Sequence, residues 1–209
     1  MTATNRAAGR RRAVSEVKRK LILDAARRVF EVEGLEGASL RAIAAEAGYT
    51  PAALYFHFPS KEAIYGEVLR ESLDRLRQAV ADAVGREATP AARLKAAAMA
   101  FFGFYAVHPR DLDLGFYLLR GGMQPRGLGR ELDEQLNLAL GQALLPIAEA
   151  AEALGASPEE ARSVLVDAFA HAAGLLMLAH TGRIRMFAVS AQQQMDRYVD
   201  GQIADLMQA

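Results

Sequence analysis

Four ring side chains stand next to one another in the segment GYTPAALYFHFPSKE, residues 48–62: Tyr55, Phe56, His57 and Phe58. Consecutive residues of a helix point to different sides, so one buried core cannot take all four rings. Leu54 and Phe58 are four positions apart and can share the core-facing side. Tyr55 and His57 then face outward, where a phenol and an imidazole can donate hydrogen bonds to phosphates.

Lys61 follows the rings by one helical turn. There it adds a cation at the start of the next helix, whose free backbone N–H groups also favour a phosphate oxygen. The segment therefore predicts a site that holds a nucleic-acid backbone. An alternative stays open, in which Tyr55 and His57 only hydrogen-bond inside a small helical core.

The helices that must position these residues are predicted from composition and from chain breakers. The chain has 209 residues, of which 52% are hydrophobic, and no segment alternates with the period of a strand. Glycine and proline clusters divide it into about nine helices, so the sequence predicts an all-α, globular protein. The first helix, near residues 15–33, has an apolar stripe formed by Leu21, Ile22, Ala25, Ala26, Val29 and Phe30.

Capping residues predict three more helices around the ring segment. Ser39 can cap a second helix that ends at Gly48 in the left-handed conformation. Thr50 can cap a third helix, with Pro51 at its first position, and Pro59 ends that helix. Ser60 can cap a fourth. Two short helices joined by a glycine-containing turn, packed on a basic first helix, are the pattern of a helix-turn-helix.

Charge is distributed unevenly along the chain. The net charge is zero, yet residues 1–61 carry +5 and the remainder carries −5. Residues 1–61 should therefore bind a polyanion.

No cysteine is present, which fits a reducing compartment, and the basic start does not resemble a secretory signal, so we expect a cytoplasmic protein. The most apolar runs, residues 96–107 and 168–179, are too short to span a bilayer, so no membrane partner is expected.

The segment SLRAIAAEAGYTPAALYFHFPSKEAI, residues 39–64, resembles the helix-turn-helix of the TetR family of ligand-responsive transcriptional repressors. The lead-in RRVFEVEG is also similar to that family. The resemblance covers about 50 residues. It implies a three-helix DNA-binding unit, a connecting fourth helix, and a larger helical domain that forms a dimer and binds a small effector. The corresponding domains are a flexible basic arm at 1–14, a DNA-binding domain at 15–61, and an effector-binding and dimerisation domain at 62–209.

The resemblance also implies roles for individual residues. Tyr55, His57 and Lys61 match positions that touch phosphates. Arg41 matches a position that can reach a base edge, because a guanidinium can recognise guanine through two hydrogen bonds. The residues that would enter the major groove are Thr50, Pro51, Ala52 and Ala53. Two alternatives stay open: Arg41 as a solvated surface residue, and the arm with Arg6, Arg10, Arg11 and Arg12 as an inert tail instead of a DNA contact.

Residues 90–209 contain no catalytic or phosphate-loop motif, and the four histidines are isolated in sequence. We therefore expect no enzyme activity, no cofactor and no metal site. A helical enzyme built from Asp111, Asp113, His108 and His171 stays an alternative that a turnover assay would test. A helical protein-interaction module is another alternative, which the absence of DNA binding would favour. The glycine-rich segment at 121–130 is predicted to be an interhelical loop.

Two further sites are predicted in the C-terminal part. The last two helices have a mixture of small and large apolar residues, which would either finish the core or form a four-helix interface in a homodimer. The residues assigned to that interface are Val164, Leu165, Ala168, Phe169, Ala172, Leu175, Tyr198 and Val199. Aromatic and methionine side chains predict a pocket for a mainly apolar effector, with histidine or arginine as polar anchors. Its residues are Phe101, Phe104, Tyr105, His108, Phe116, Tyr117, Arg120, Met123 and His171.

Overall fold

In a computed structural model, residues 3–115 and 127–208 are described, and all regular structure among them is helical. This confirms the all-α prediction. The described residues form nine α-helices: α1 (Ala3–Gly37), α2 (Leu40–Ala47), α3 (Pro51–Tyr55), α4 (Lys61–Val84), α5 (Pro90–Val107), α6 (Pro109–Gly115), α7 (Arg130–Ala153), α8 (Pro158–His180) and α9 (Ala191–Gln208). A 3-10 helix, Arg183–Phe187, precedes α9.

Contacts divide the chain into two compact units. The first comprises Met1–Arg70 and Tyr117–Asp133, and the second comprises Glu71–Phe116 and Glu134–Ala209. The domain boundaries predicted after residues 14 and 61 stay predictions. Helix α1 begins at Ala3, whereas the sequence predicted a start near Ser15. The alanines and arginines of the added segment favour helix, which agrees with the earlier start. The side chains of residues 3–12, including the arm arginines, lie outside the described part.

Among the described helices, α1 contributes the largest number of buried hydrophobic residues to the first unit. Ile22, Ala26 and Phe30 are almost fully buried, as the apolar stripe predicts, and α1 packs on α2. Leu21 was predicted in that stripe but is half exposed, because it precedes Ile22 and points to another side of the helix. Gly34 interrupts the helix with φ 68° and ψ 179°, which confirms the predicted break.

The predicted caps around the ring segment are confirmed. The Ser39 side chain accepts a hydrogen bond from the backbone N–H of Ala42, and Gly48 adopts the left-handed conformation with φ 70°. The Thr50 side chain accepts from Ala53 N–H, with Pro51 at the first turn of α3. The Ser60 side chain accepts from Ala63 N–H at the start of α4. Local capping chemistry therefore fixes where α2, α3 and α4 begin.

In the second unit, α8 packs against α5 and α9. It starts with a complete capping box between Ser157 and Glu160, and hydrogen bonds from Ser157 lower the Glu160 pKa. By length and composition α8 could cross a membrane, and only 28% of its most apolar window is buried. The sequence had placed only a short apolar run there. Contacts of α8 with α5 and α9 give its apolar residues a role in a core, and the absence of a membrane partner stays a prediction.

The sequence predicts that the last helix starts near Met186, whereas α9 begins at Ala191. Residues 183–187 form the 3-10 helix instead, and Ala188 follows in the left-handed region with φ 52°. The Ser190 side chain then accepts a hydrogen bond from Gln193 N–H at 3.4 Å. The capping residue just before Ala191 agrees with the later start.

Candidate nucleic-acid interface

The ring segment divides between core and solvent in the way the sequence predicted. Leu54 and Phe58 are buried, at 0% and 2% exposure, whereas Tyr55 is 60% exposed and Phe56 is 86% exposed. His57 is half-buried, and its ring meets Phe56 edge-on at 5.4 Å between centroids. Among the described residues, neither the Tyr55 hydroxyl nor the His57 ring has a hydrogen-bond partner. This arrangement does not match the alternative in which both bond inside the core.

The remaining predicted DNA contacts lie on α2 and α3. Arg41, in the first turn of α2, is exposed and makes no ion pair with the described residues. Pro51 and Ala52 are exposed and Ala53 is half-buried at the start of α3. The Thr50 hydroxyl oxygen caps α3 by accepting a hydrogen bond. The same hydroxyl can still donate its hydrogen to a DNA acceptor. Together with Tyr55 and His57, these residues can therefore present one guanidinium, several small apolar groups and two ring donors to a duplex.

Lys61 has a different environment from the one predicted. Its ammonium donates to three backbone carbonyls at the end of α1: Leu35 at 2.9 Å, Ala38 at 3.2 Å and Glu36 at 3.3 Å. An ammonium has three N–H donors, so all three are engaged. A cation at the carboxyl end of a helix is also favourable for the helix dipole. The geometry thus gives Lys61 a role in holding the start of α4 against α1, and a phosphate contact, which the resemblance implies, would have to replace one of these three hydrogen bonds.

Arg19 is a residue of this region that the sequence did not single out. From α1, its guanidinium donates to the backbone carbonyl of His57 at 3.3 Å and pairs with Glu67 at 2.9 Å. The guanidinium carbon also lies 4.3 Å from the centroid of the Phe58 ring, a cation–π distance. The sequence placed Arg19 only on a basic helix face. Spacing along the chain could not reveal these contacts, because the partners are 38 or more residues away.

In the second unit, a small apolar cavity of about 50 Å³ lies among α5, α6, α7 and α8. Its lining residues are Phe101, Tyr105, Leu112, Gly115, Leu140, Phe169, Ala173 and Leu176. Sites for small molecules usually measure about 300–1,000 Å³. The cavity is therefore several times smaller than an ordinary ligand site and has room for only a few water molecules.

The predicted pocket residues agree with this cavity only in part. Phe101 and Tyr105 line it, whereas Phe104 and His108 are in ring contact with each other at 4.9 Å and are not among its lining residues. His171 stacks on Tyr198 at 4.0 Å and also lies outside the lining. Its Nε2 atom is buried without a hydrogen-bond partner in the described part of the chain, and burial lowers the His171 pKa. The predictions for Phe116, Tyr117, Arg120 and Met123 lie outside the described residues.

Asp111 is a buried acid beside the cavity-lining residues. It forms an ion pair at 2.6 Å with Arg75 of α4. Burial raises the pKa of the Tyr105 phenol, and the charge of Asp111 adds to that effect, so Tyr105 stays a neutral hydroxyl at physiological pH. Asp111 was a candidate for acid–base chemistry in the enzyme alternative. Its pairing with Arg75 gives it a structural role instead.

Most of the residues predicted for a dimer interface are already buried within the single chain, and their place in an interface stays a prediction. Val164, Ala168, Ala172, Leu175 and Val199 are at most 8% exposed within the single chain. Side chains enclosed by their own chain have little surface left for a partner. Phe169 lines the cavity. Leu165 and Tyr198 are half-buried, so they keep partial surface that a partner could contact.

Comparison with protein families gives a match to the N-terminal region. Residues 22–68 match the model described as "Bacterial regulatory proteins, tetR family". The chain is 49% identical over 65 residues to the HTH-type transcriptional regulator RutR of Escherichia coli strain K12. This match spans 31% of the chain and 30% of RutR, so it covers about a third of either protein. The relatives are named as transcriptional regulators and not as enzymes.

Solved structures are similar over nearly the whole chain. A TetR-like transcriptional regulator from Rhodococcus sp. RHA1 has a TM-score of 0.63 at 20% identity, covering 90% of this chain and 96% of that one. The regulator FadR from Bacillus subtilis, solved in complex with stearoyl-CoA, has a TM-score of 0.62 at 18% identity, covering 90% of this chain and 97% of that one. At these identities the similarity establishes the fold.

The contacts of Lys61 lead to a prediction that separates its two roles. Lys61→Met keeps the aliphatic stem and removes the three charged hydrogen bonds, so unfolding in urea should show a loss of about 1–2 kcal/mol. The slope of log affinity against log salt on any duplex should stay close to that of the wild type. Tyr55→Phe is the matched control, because it should weaken duplex binding without lowering stability. A slope reduced by about one unit with unchanged stability would instead make Lys61 a phosphate contact.

Proposed function

We propose that this chain, whose residues 22–68 are a helix-turn-helix domain of the TetR family, is a DNA-binding transcriptional regulator. The observation that carries the proposal is the division of the ring segment. Leu54 and Phe58 anchor α3 in the core. The side chains of Tyr55, His57 and Arg41 are exposed or half-buried, and in the described part of the chain they have no hydrogen-bond or ion-pair partner. Phenol, imidazole and guanidinium donors on a short capped helix pair fit the backbone and base edges of a duplex.

Repression is the mode that the family resemblance favours, and the double-stranded operator is the proposed partner. We expect the protein to work in the cytoplasm, where the bacterial chromosome lies. The alternative of a protein-interaction module gives no reason for exposed donors to surround α3. The ion pair with Arg75 makes Asp111 a weaker candidate for acid–base chemistry, which weakens the alternative of an enzyme.

Arg41 provides the test of sequence recognition. Operator sequences are first selected from a random duplex library with the purified protein. Arg41→Ala should then cost about 1–3 kcal/mol on the selected operator and much less on a random duplex, because only a base-edge contact depends on sequence. His57→Ala should weaken binding to both duplexes alike. Equal losses for Arg41→Ala on the two duplexes would reduce Arg41 to a backbone contact, and a wild-type protein without any preferred duplex would contradict the proposed function.

The protein should bind its operator as a homodimer, since one helix-turn-helix recognises a single half-site of a pseudo-palindrome. A stripe on α8 supports this proposal. Val166 and Met177 are 57% and 50% exposed, and the exposed Ala170 lies between them at helical spacing. An exposed apolar helix face of this kind is typical of an interface between copies. We therefore move the proposed interface from the buried residues to this stripe, with Leu165 and Tyr198 at its side.

Val166→Glu should convert the dimer into a monomer, because it places a charge in the apolar interface without disturbing the core. The measurement is light scattering, followed by titration of the operator, on which the monomer should bind weakly. Gln142→Glu adds the same charge at an exposed position of α7 and should leave the dimer intact. Persistence of the dimer in Val166→Glu would exclude this face, and a monomeric wild type would contradict dimerisation.

A mainly apolar small molecule is the proposed effector. The cavity bounded by Phe101, Phe169 and Leu176 supports an apolar site, although it must enlarge to take a ligand of ordinary size. Tyr105, whose hydroxyl stays neutral, is among the residues that line it. FadR, whose fold is similar, was solved with stearoyl-CoA, a ligand with a long apolar chain. Binding would release DNA only if the effector prefers a dimer geometry in which the recognition helices are wrongly spaced.

Native mass spectrometry of the purified protein should find a bound apolar compound, or a screen of apolar compounds should find one that weakens operator binding. Ala173→Phe fills the cavity and should abolish that response while leaving operator binding intact. An exposed-site control, Ala204→Phe on α9, should keep the response. If no compound binds or alters operator affinity, the protein is a constitutive DNA-binding regulator.

A further inference from the structure

The turn that follows α3 is contacted by a side chain from α1. Helix α3 ends at Tyr55, and the following turn is closed by hydrogen bonds from His57 N–H and Phe58 N–H to the carbonyl of Leu54, at 2.8 and 2.9 Å. His57 carries one of the proposed phosphate donors on this turn. The direction of its ring is therefore set by the few interactions that fix residues 56–58.

Arg19 makes two contacts with that turn and a third with α4. One N–H donates to the His57 carbonyl, the guanidinium plane lies near the Phe58 ring, and another N–H pairs with Glu67 of α4. Glu67 is itself hydrogen-bonded to Arg70 at 2.8 Å. Burial acts to raise the Glu67 pKa, but the hydrogen bonds and charges of Arg70 and Arg19 outweigh it, and the pKa is lowered. Glu67 is thus a charged partner at neutral pH.

We propose that Arg19 is a positioning residue, which fixes the turn carrying His57 against α1 and α4 without itself binding DNA. The proposal rests on the proposed DNA-binding function. A guanidinium is planar, so it can lie against a ring and donate in two directions at once, whereas the ammonium of lysine is a point charge on a flexible stem. The charge of Arg19 faces Glu67, and its remaining contacts are a carbonyl and an aromatic ring.

Arg19→Lys separates positioning from simple charge. It keeps the positive charge, so long-range attraction to DNA and the slope of log affinity against log salt should stay as in the wild type. The three simultaneous contacts are lost, and operator affinity should fall about tenfold, while affinity for a random duplex changes far less. Arg28→Lys is the matched control, because Arg28 makes an exposed ion pair between α1 and α2 with Glu46, and it should change neither affinity.

Glu67→Gln supplies a second variant that leaves Arg19 in place. It removes the charged partner of Arg19 and keeps the size of the side chain. Like Arg19→Lys, it should lower the affinity for the operator relative to the affinity for a random duplex. Circular dichroism should show both variants folded at the assay temperature. Operator affinity retained in Arg19→Lys, or an equal loss on both duplexes, overturns the proposal. If the wild type prefers the operator and neither variant changes that preference, only the proposed role of Arg19 is contradicted. If the wild type shows no operator preference, the role of Arg19 and the proposed function are both contradicted.

Discussion

Helix α3 is too short to be stable by itself, and the proposed interface depends on how it is held. It spans five residues, Pro51–Tyr55, whereas isolated helices of fewer than about 12 residues are marginal in water. Its geometry therefore comes from the surroundings: the Thr50 cap at one end, the burial of Leu54 and Phe58, and the contacts of Arg19 at the other end. Only a fixed helix can present Tyr55 and His57 at one constant spacing.

Capping residues and glycine in the sequence predicted the starts and ends of the short helices around α3. Ser39, Gly48 and Thr50 act through hydrogen bonds and backbone conformations within a few residues, and each has the predicted geometry. Leu54 and Phe58 are buried as their spacing of four residues predicted, although Phe58 lies in the turn after α3 and not in the helix. The charged residues were harder to predict. Lys61 and Arg19 belong to a basic region, and the sequence cannot reveal that carbonyls and a carboxylate from distant positions meet them.

Helix α8 shows why the sites of the second unit were only partly predicted. Its residues divide among three faces: a core face with Ala168 and Ala172, a cavity face with Phe169 and Leu176, and an outer face with Val166 and Met177. All three are apolar, so hydropathy could not separate them, and the sequence assigned residues of two faces to one interface. Helical periodicity does distinguish the cavity face from the other two, because Phe169, Ala173 and Leu176 follow one another at spacings of four and three residues. Which face is covered by which helix depends on tertiary packing.

The proposed DNA-contacting surface comprises α2, α3 and the turn after α3. Hydrogen exchange of the backbone amides, measured by mass spectrometry with and without operator duplex, tests it most directly. We expect slower exchange across residues 39–58 when the operator is added. The same concentration of a polyanion without a duplex, such as polyacrylate, should cause no comparable change. Protection confined to residues 134–208, or no protection by any duplex, would contradict it.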